Sequence, residues 1–176
     1  MWGSHILIIP VLQQGATSVN GYLPAGRWWT WNTTSLLNSR GETFNFKTEI
    51  DEINIFVREA AIIPSSDKVM ITKELQDSNF NLLITLDEHS EANGELFWDD
   101  GDLADSQQKG KYNLMQFKVQ QNTLIANPMQ LGYKIEKYVS SITNCGVKAK
   151  PKEVYVNQET ISFDFNDVSM FRSTAE

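Results

Sequence analysis

Short apolar runs with a period of two, separated by turn-forming dipeptides, govern what this chain can fold into. Tyr112-Asn113-Leu114-Met115-Gln116-Phe117-Lys118-Val119 sets Tyr112, Leu114, Gln116 and Lys118 on one face, opposite Met115, Phe117 and Val119. That alternation is a strand with one apolar side and one side leaning toward water. Ile53-Asn54-Ile55-Phe56-Val57, Leu82-Leu83-Ile84-Thr85-Leu86 and Ile161-Ser162-Phe163-Asp164-Phe165 are equally short and rich in β-branched or aromatic residues. Ile6-Leu7-Ile8-Ile9-Pro10-Val11-Leu12 reads as a further, buried strand. Turn signals recur at Asn20-Gly21, Pro24-Ala25-Gly26, Asn93-Gly94 and Asp100-Gly101. No long stretch sustains a helical stripe. The pattern predicts an all-β chain of two small antiparallel β-sandwich-like domains, with no catalytic barrel. Ser65-Ser66-Asp67-Lys68 follows Pro64 and opens the stretch weakest in strand character, which predicts domains 1–65 and 66–176.

Composition narrows the function classes. At 176 residues with 41% apolar and 11% aromatic side chains, the chain can bury a packed core rather than remain disordered. A formal charge of -7, with no cluster of Lys or Arg, repels phosphate backbones and anionic lipid, so neither nucleic acid nor a membrane surface is an expected partner. The longest apolar run, the one ending at Leu12, is too short to span a bilayer. Cys145 is the single cysteine, so no internal disulfide and no Cys-based zinc site can form. His5 and His89 lie far apart and lack metal-site spacing; no metal or cofactor is expected. Asn32-Thr33-Thr34 is the sole N-glycosylation sequon, functional only on an exposed loop in a secretory route.

Two groups carry potential chemistry. Arg27-Trp28-Trp29-Thr30-Trp31 puts Trp29 and Trp31 on one strand face, where an exposed pair could stack on sugar rings; the same aromatics could instead fill a core. Gly94-Glu95-Leu96-Phe97-Trp98-Asp99-Asp100-Gly101 ties a strand-like segment to an acidic turn. Glycoside hydrolysis takes two opposed carboxyl groups, about 5 to 5.5 Å apart for retention and wider for inversion. Asp99 and Asp100 are sequence neighbours whose side chains diverge, so they are poor candidates for that pair. Asp100-Gly101 reads as a hairpin turn, the Asp accepting local N–H bonds and the Gly taking a positive φ. Glu95, Asp99, Asp100, Asp102 and Asp105 miss the spacing of a helix-loop-helix calcium site and read as a solvated acidic loop.

Several pieces in register resemble one enzyme family. Met1-Trp2-Gly3, Leu7-Ile8-Ile9-Pro10-Val11-Leu12, Gly15-Ala16-Thr17-Ser18-Val19, Tyr22-Leu23-Pro24 and Arg27-Trp28 are similar to the segment after the catalytic barrel in glycoside hydrolase family thirty-one α-glucosidases of the maltase-glucoamylase and sucrase-isomaltase type. Residues 53–58 with Ile62-Ile63-Pro64, residues 83–87, and residues 94–101 resemble later elements of the same region. Beyond Gly101 the similarity thins, Lys150-Pro151-Lys152-Glu153-Val154-Tyr155-Val156-Asn157 being the best remaining echo. Glu59-Ala60 stands where the family has two glycines, and the tail after Phe165 is shorter than the family's last strands, which predicts an incomplete final sheet.

The resemblance implies a proximal and a distal C-terminal β-domain, downstream of a (β/α)₈ barrel that holds an Asp nucleophile and an Asp acid/base. Neither catalytic motif occurs here, so no catalytic residue carries over. Trp98, Asp99, Asp100 and Gly101 match the family's turn. The implied parent removes terminal α-linked glucose from oligosaccharides with retention, in the secretory pathway or outside the cell if it is typical. The expected partners are that barrel, an oligosaccharide, and a second copy of the chain meeting through apolar surface the barrel would cover. The competing reading is a free-standing carbohydrate-binding or protein-interaction module.

Overall fold

The computed structural model describes residues 1–67, 69–134, 136–166 and 170–174. The chain is almost entirely β, as the alternation predicts. It divides into two compact units, Met1–Glu59 and Ala60–Glu176.

The first unit holds β1 (Ile6–Ile9), β2 (Ser18–Leu23), β3 (Gly26–Thr30), β4 (Leu36–Ser39), β5 (Glu42–Lys47) and β6 (Asn54–Arg58). Four of these form an antiparallel sheet in the order β1-β6-β3-β4, and β2 pairs with β5 in a second. Their facing sides bury Ile9, Leu23, Trp28 and Phe56, with Phe44 and Phe46 packed against them. Trp28 is fully buried, and its indole N–H donates to the Pro24 carbonyl at 2.9 Å, so the ring adds apolar area without an orphaned donor. The buried run is shorter than its sequence pattern: β1 stops at Ile9, before Pro10.

The second unit contains β7 (Ala61–Ser65), helix α1 (Thr72–Asp77), β8 (Phe80–Thr85), β9 (Ala92–Trp98), β10 (Asn113–Gln120), β11 (Thr123–Leu131), β12 (Val139–Cys145), β13 (Tyr155–Val156), β14 (Glu159–Thr160), β15 (Asp164–Asn166) and β16 (Met170–Thr174). Eight of the strands form one curled sheet, in the order β11-β10-β9-β7-β8-β12-β16-β15. Most neighbours are antiparallel, but β12 runs parallel to β8 and β9 runs parallel to β7. The concave core gathers Ile62, Leu82, Ile84, Leu86, Ala92, Phe117 and Val119. Along β10 the buried Phe117 and Val119 alternate with exposed Gln116 and Lys118, the faces read from the sequence. Helix α1 is too short to write a stripe; the Glu74 carboxylate accepts the Met70 N–H at 3.1 Å just before it.

The compact units divide after Glu59, and β7 pairs with β8 in the second sheet. Three sequence expectations differ from the structure. The run beginning at Ile161 is strand only from Asp164, since Ile161 N–H closes the β13–β14 hairpin on the Val154 carbonyl. Asn20-Gly21 and Asn93-Gly94 are not turns but lie within β2 and β9. Both glycines are required by close approach: a Cβ at Gly21 would stand 2.4 Å from Ile9 Cδ1, and one at Gly94 only 2.0 Å from the Ile62 carbonyl oxygen.

The Glu59-Ala60 pair shows what replaces two glycines. Ala60 sits at φ 64, a left-handed conformation that an L side chain adopts at a cost of about 1 to 2 kcal/mol. Glu59 contributes what glycine could not, its carboxylate accepting the Arg27 N–H at 3.2 Å. Ala60→Gly is therefore expected to raise stability by up to about 1 kcal/mol, the relief of strain outweighing the extra freedom of the unfolded chain. Denaturant titration checks this, and a loss of stability would contradict the strain argument.

Candidate functional site

The acidic turn opens the connection between β9 and β10. These strands are paired up to Trp98↔Asn113, so residues 99–112 make a long loop rather than the tight two-residue hairpin read from Asp100-Gly101. The carboxylates start that loop by binding its backbone. Asp99 Oδ1 accepts the Gly101 N–H at 3.0 Å, and the Ser106 hydroxyl donates to Asp99 Oδ2. Asp100 Oδ1 accepts the N–H groups of Leu103 at 3.0 Å and Asp102 at 3.1 Å. These bonds favour the ionised form, Leu103 foremost, and hold the Asp100 carboxyl below its ordinary range. Gly101, at φ 76, supplies the left-handed residue. Asp105 pairs with Lys109 at 2.9 Å, and Glu95 is exposed on β9 opposite Gln116. Among the described residues no group of three or more His, Cys, Asp or Glu is placed to hold a metal.

Trp98 anchors the turn. Its ring meets Phe80 edge-to-face with centroids 5.0 Å apart, and the Lys137 ammonium lies 4.2 Å from its centroid. Lys137 also donates to the Leu75 carbonyl at 3.1 Å. Burial lowers the pKa of this amine, with Asp77 acting in the opposite sense. No sequence pattern links Phe80, Trp98 and Lys137; the sheet brings them together from β8, β9 and the connection between β11 and β12.

The aromatic pair read as a sugar platform is arranged otherwise. Trp29 is 1% exposed and Trp31 half-buried, so the two do not present an open surface to a sugar. β3 lies between β6 and β4, with Trp28 and Trp29 both buried. The Arg27 guanidinium stands 5.0 Å from the Trp29 ring centroid. Asn32 is exposed in the turn from β3 to β4, where the Thr30 and Thr33 hydroxyls meet at 2.7 Å. Cys145 is buried, and burial pushes its thiol up to about 12, which leaves no nucleophilic thiolate near neutral pH.

Residues 1–63 match the glycosyl hydrolase family 31 C-terminal domain. The chain is 30% identical to intestinal sucrase-isomaltase of Homo sapiens over 172 residues, covering 97% of this chain and 9% of that protein. Against lysosomal alpha-glucosidase of Mus musculus it is 30% identical over 181 residues, covering 92% of this chain and 19% of the relative. The chain thus spans about a tenth to a fifth of the length of these curated relatives. A glucosidase II alpha subunit bound to alpha3-Glc2 superposes with a TM-score of 0.80 at 21% identity, covering 96% of this chain and 21% of that one, a likeness of fold.

Proposed function

Because the chain belongs to glycosyl hydrolase family 31 as the C-terminal β region of an α-glucosidase-type enzyme, we propose that it performs no hydrolysis itself and serves to support a catalytic barrel. Retaining hydrolysis of a terminal α-linked glucose is the work of that barrel, where two carboxyl groups can face each other across the bond. In this chain the conspicuous acids are engaged locally, since Asp99 and Asp100 hold their own loop.

The observation that carries the supporting role is the apolar surface of the first unit. Trp2 is 72% exposed, Leu12 88% and Ile53 57%, although the same unit buries Trp28 and Phe56 completely or nearly so. A unit of this size has little reason to leave so many large apolar side chains in water unless another body covers them. The burial of Trp29 favours the supporting role over a free-standing sugar-binding reading of this unit.

The isolated chain is therefore expected to self-associate or bind a hydrophobic dye. Sedimentation velocity with a dye-binding assay checks this, and substituting Trp2, Leu12 and Ile53 with polar residues should abolish both effects. A monodisperse monomer that leaves the dye dark would contradict the supporting role.

A further inference from the structure

β11 ends the eight-stranded sheet on one side: it pairs with β10, and among the described residues no strand pairs with its other edge. An open edge is a template for another chain, and folded proteins guard it with short strands, charged side chains, prolines or bulges. Two of these guards are missing here. β11 runs for nine residues, and no charged residue stands between Lys118 and Lys134.

The hairpin fixes which backbone groups face outward. Gln121 and Asn122, at φ 52 and 59, form its two-residue turn, so the closing pair Gln120↔Thr123 exchanges hydrogen bonds. The ladder alternates from there. Ile125 and Asn127 turn their N–H and C=O groups toward Lys118 and Gln116, whereas Leu124, Ala126 and residue 128 turn theirs to the open edge. Residue 128 is proline, which has no N–H to offer. Its register partner is Met115, and since that pair exchanges no hydrogen bond, the proline removes nothing from the β10–β11 ladder. Next to it Met129 has no partner on β10, where the register slips between Leu114 and Met115. A proline and a bulge thus stand side by side on an edge that has no other guard.

We propose that Pro128 keeps β11 from pairing with β11 of a second copy. Two copies about a twofold axis at Ala126 would run antiparallel, Ala126 opposite its counterpart and Leu124 opposite residue 128. That register uses all three outward positions, and neither strand carries a charge to oppose it. With proline present both of the pairs that involve residue 128 lose a donor, and each ring presses on the incoming strand. Moving the axis to Ile125 spares the proline but leaves only Leu124 and Ala126 to pair, too short a ladder to hold two copies together. This inference concerns the second unit and does not depend on the supporting role of the first.

Hydrogen exchange of the unmodified chain reads the edge directly. The Leu124 and Ala126 amides should exchange fast, and those of Ile125 and Asn127, bonded to β10, slowly. Pro128→Thr is then compared with Pro128 in the chain whose Trp2, Leu12 and Ile53 are polar, so that association through the first unit does not mask the result. Sedimentation should show self-association strengthened about tenfold, the effect of one restored donor in each copy. The Leu124 and Ala126 amides should become protected as concentration rises. Pro128→Ala, which restores the donor without a β-branched side chain, is the second variant and should act in the same direction. Adding Ile125→Lys to either variant, a charge on the same strand, should return association to its starting level. Slow exchange at Ile125 and Asn127 reports that the hairpin is still folded. The proposal is overturned if Leu124 and Ala126 are as slow as Ile125 and Asn127 in the unmodified chain, if neither variant at residue 128 associates more strongly, or if Ile125→Lys leaves the gain intact.

Discussion

A single methyl group added by Gly94→Ala is expected to destabilise the second unit by about 3 kcal/mol or more, the upper end for overpacking. The new Cβ would stand 2.0 Å from the carbonyl oxygen of Ile62 and 2.9 Å from its Cβ. Those atoms belong to β7, whose backbone lies in the middle of the eight-stranded sheet and is bonded on its other side to β8. Relief would require β7 or β9 to move, and with it the buried Ile62 and Ala92. Gly21→Ala is the internal comparison. There the obstacle is the Ile9 side chain, its Cδ1 2.4 Å and its Cγ2 2.7 Å away, rather than backbone, so the loss should be smaller than at Gly94, about 1 to 2 kcal/mol. Thermal or denaturant unfolding of the two variants measures the difference. Equal small losses would mean that β7 and β9 are not as close as described.

The second large effect lies at Trp28. At roughly 0.05 to 0.15 kcal/mol per residue, the Met1–Glu59 unit holds about 3 to 9 kcal/mol of stability if it folds independently. Trp28 is 0% exposed, packs with Ile9, Leu23 and Phe56, and satisfies its own indole donor. Trp28→Ala should remove about 3 to 5 kcal/mol through lost burial and the cavity left behind, enough to bring a marginal unit close to unfolding. Near-ultraviolet dichroism and tryptophan emission report it, because four of the five tryptophans fall within residues 1–59. Native-like emission and an unchanged melting temperature would show that the ring is not the keystone of this core.

Much of the fold was legible because alternation is a physical record of a half-buried strand. In β10 the polar residues Gln116 and Lys118 face water while Phe117 and Val119 face the core, so the sequence repeats the environment. The glycines were harder to read. Asn20-Gly21 and Asn93-Gly94 carry the same letters as a tight turn, yet the missing Cβ makes room for another strand, β1 at Gly21 and β7 at Gly94. Only Asp100-Gly101 combines the acid and glycine at the start of a loop, and even there the loop runs on to β10 instead of turning back at once.

The candidate site was legible in part. Trp98, Asp99, Asp100 and Gly101 stand out as a local motif, and the structure shows the two acids bonding to their own loop. Lys137 and Phe80 could not be found in the same way, since their meeting with Trp98 depends on which strands the sheet places together. The aromatic run at 27–31 left two readings open for a related reason: period two tells which side chains share a face, not whether a neighbour covers it.

The central claim is that this region buttresses catalysis performed elsewhere, and turnover of an α-glucoside by the rigorously purified chain tests it most directly. No release of glucose from maltose above the buffer blank is expected, and Asp99→Asn and Asp100→Asn should change nothing in that assay. Glucose release by the wild-type chain that disappears in either variant would contradict the account, because those carboxylates would then be doing chemistry rather than holding a loop.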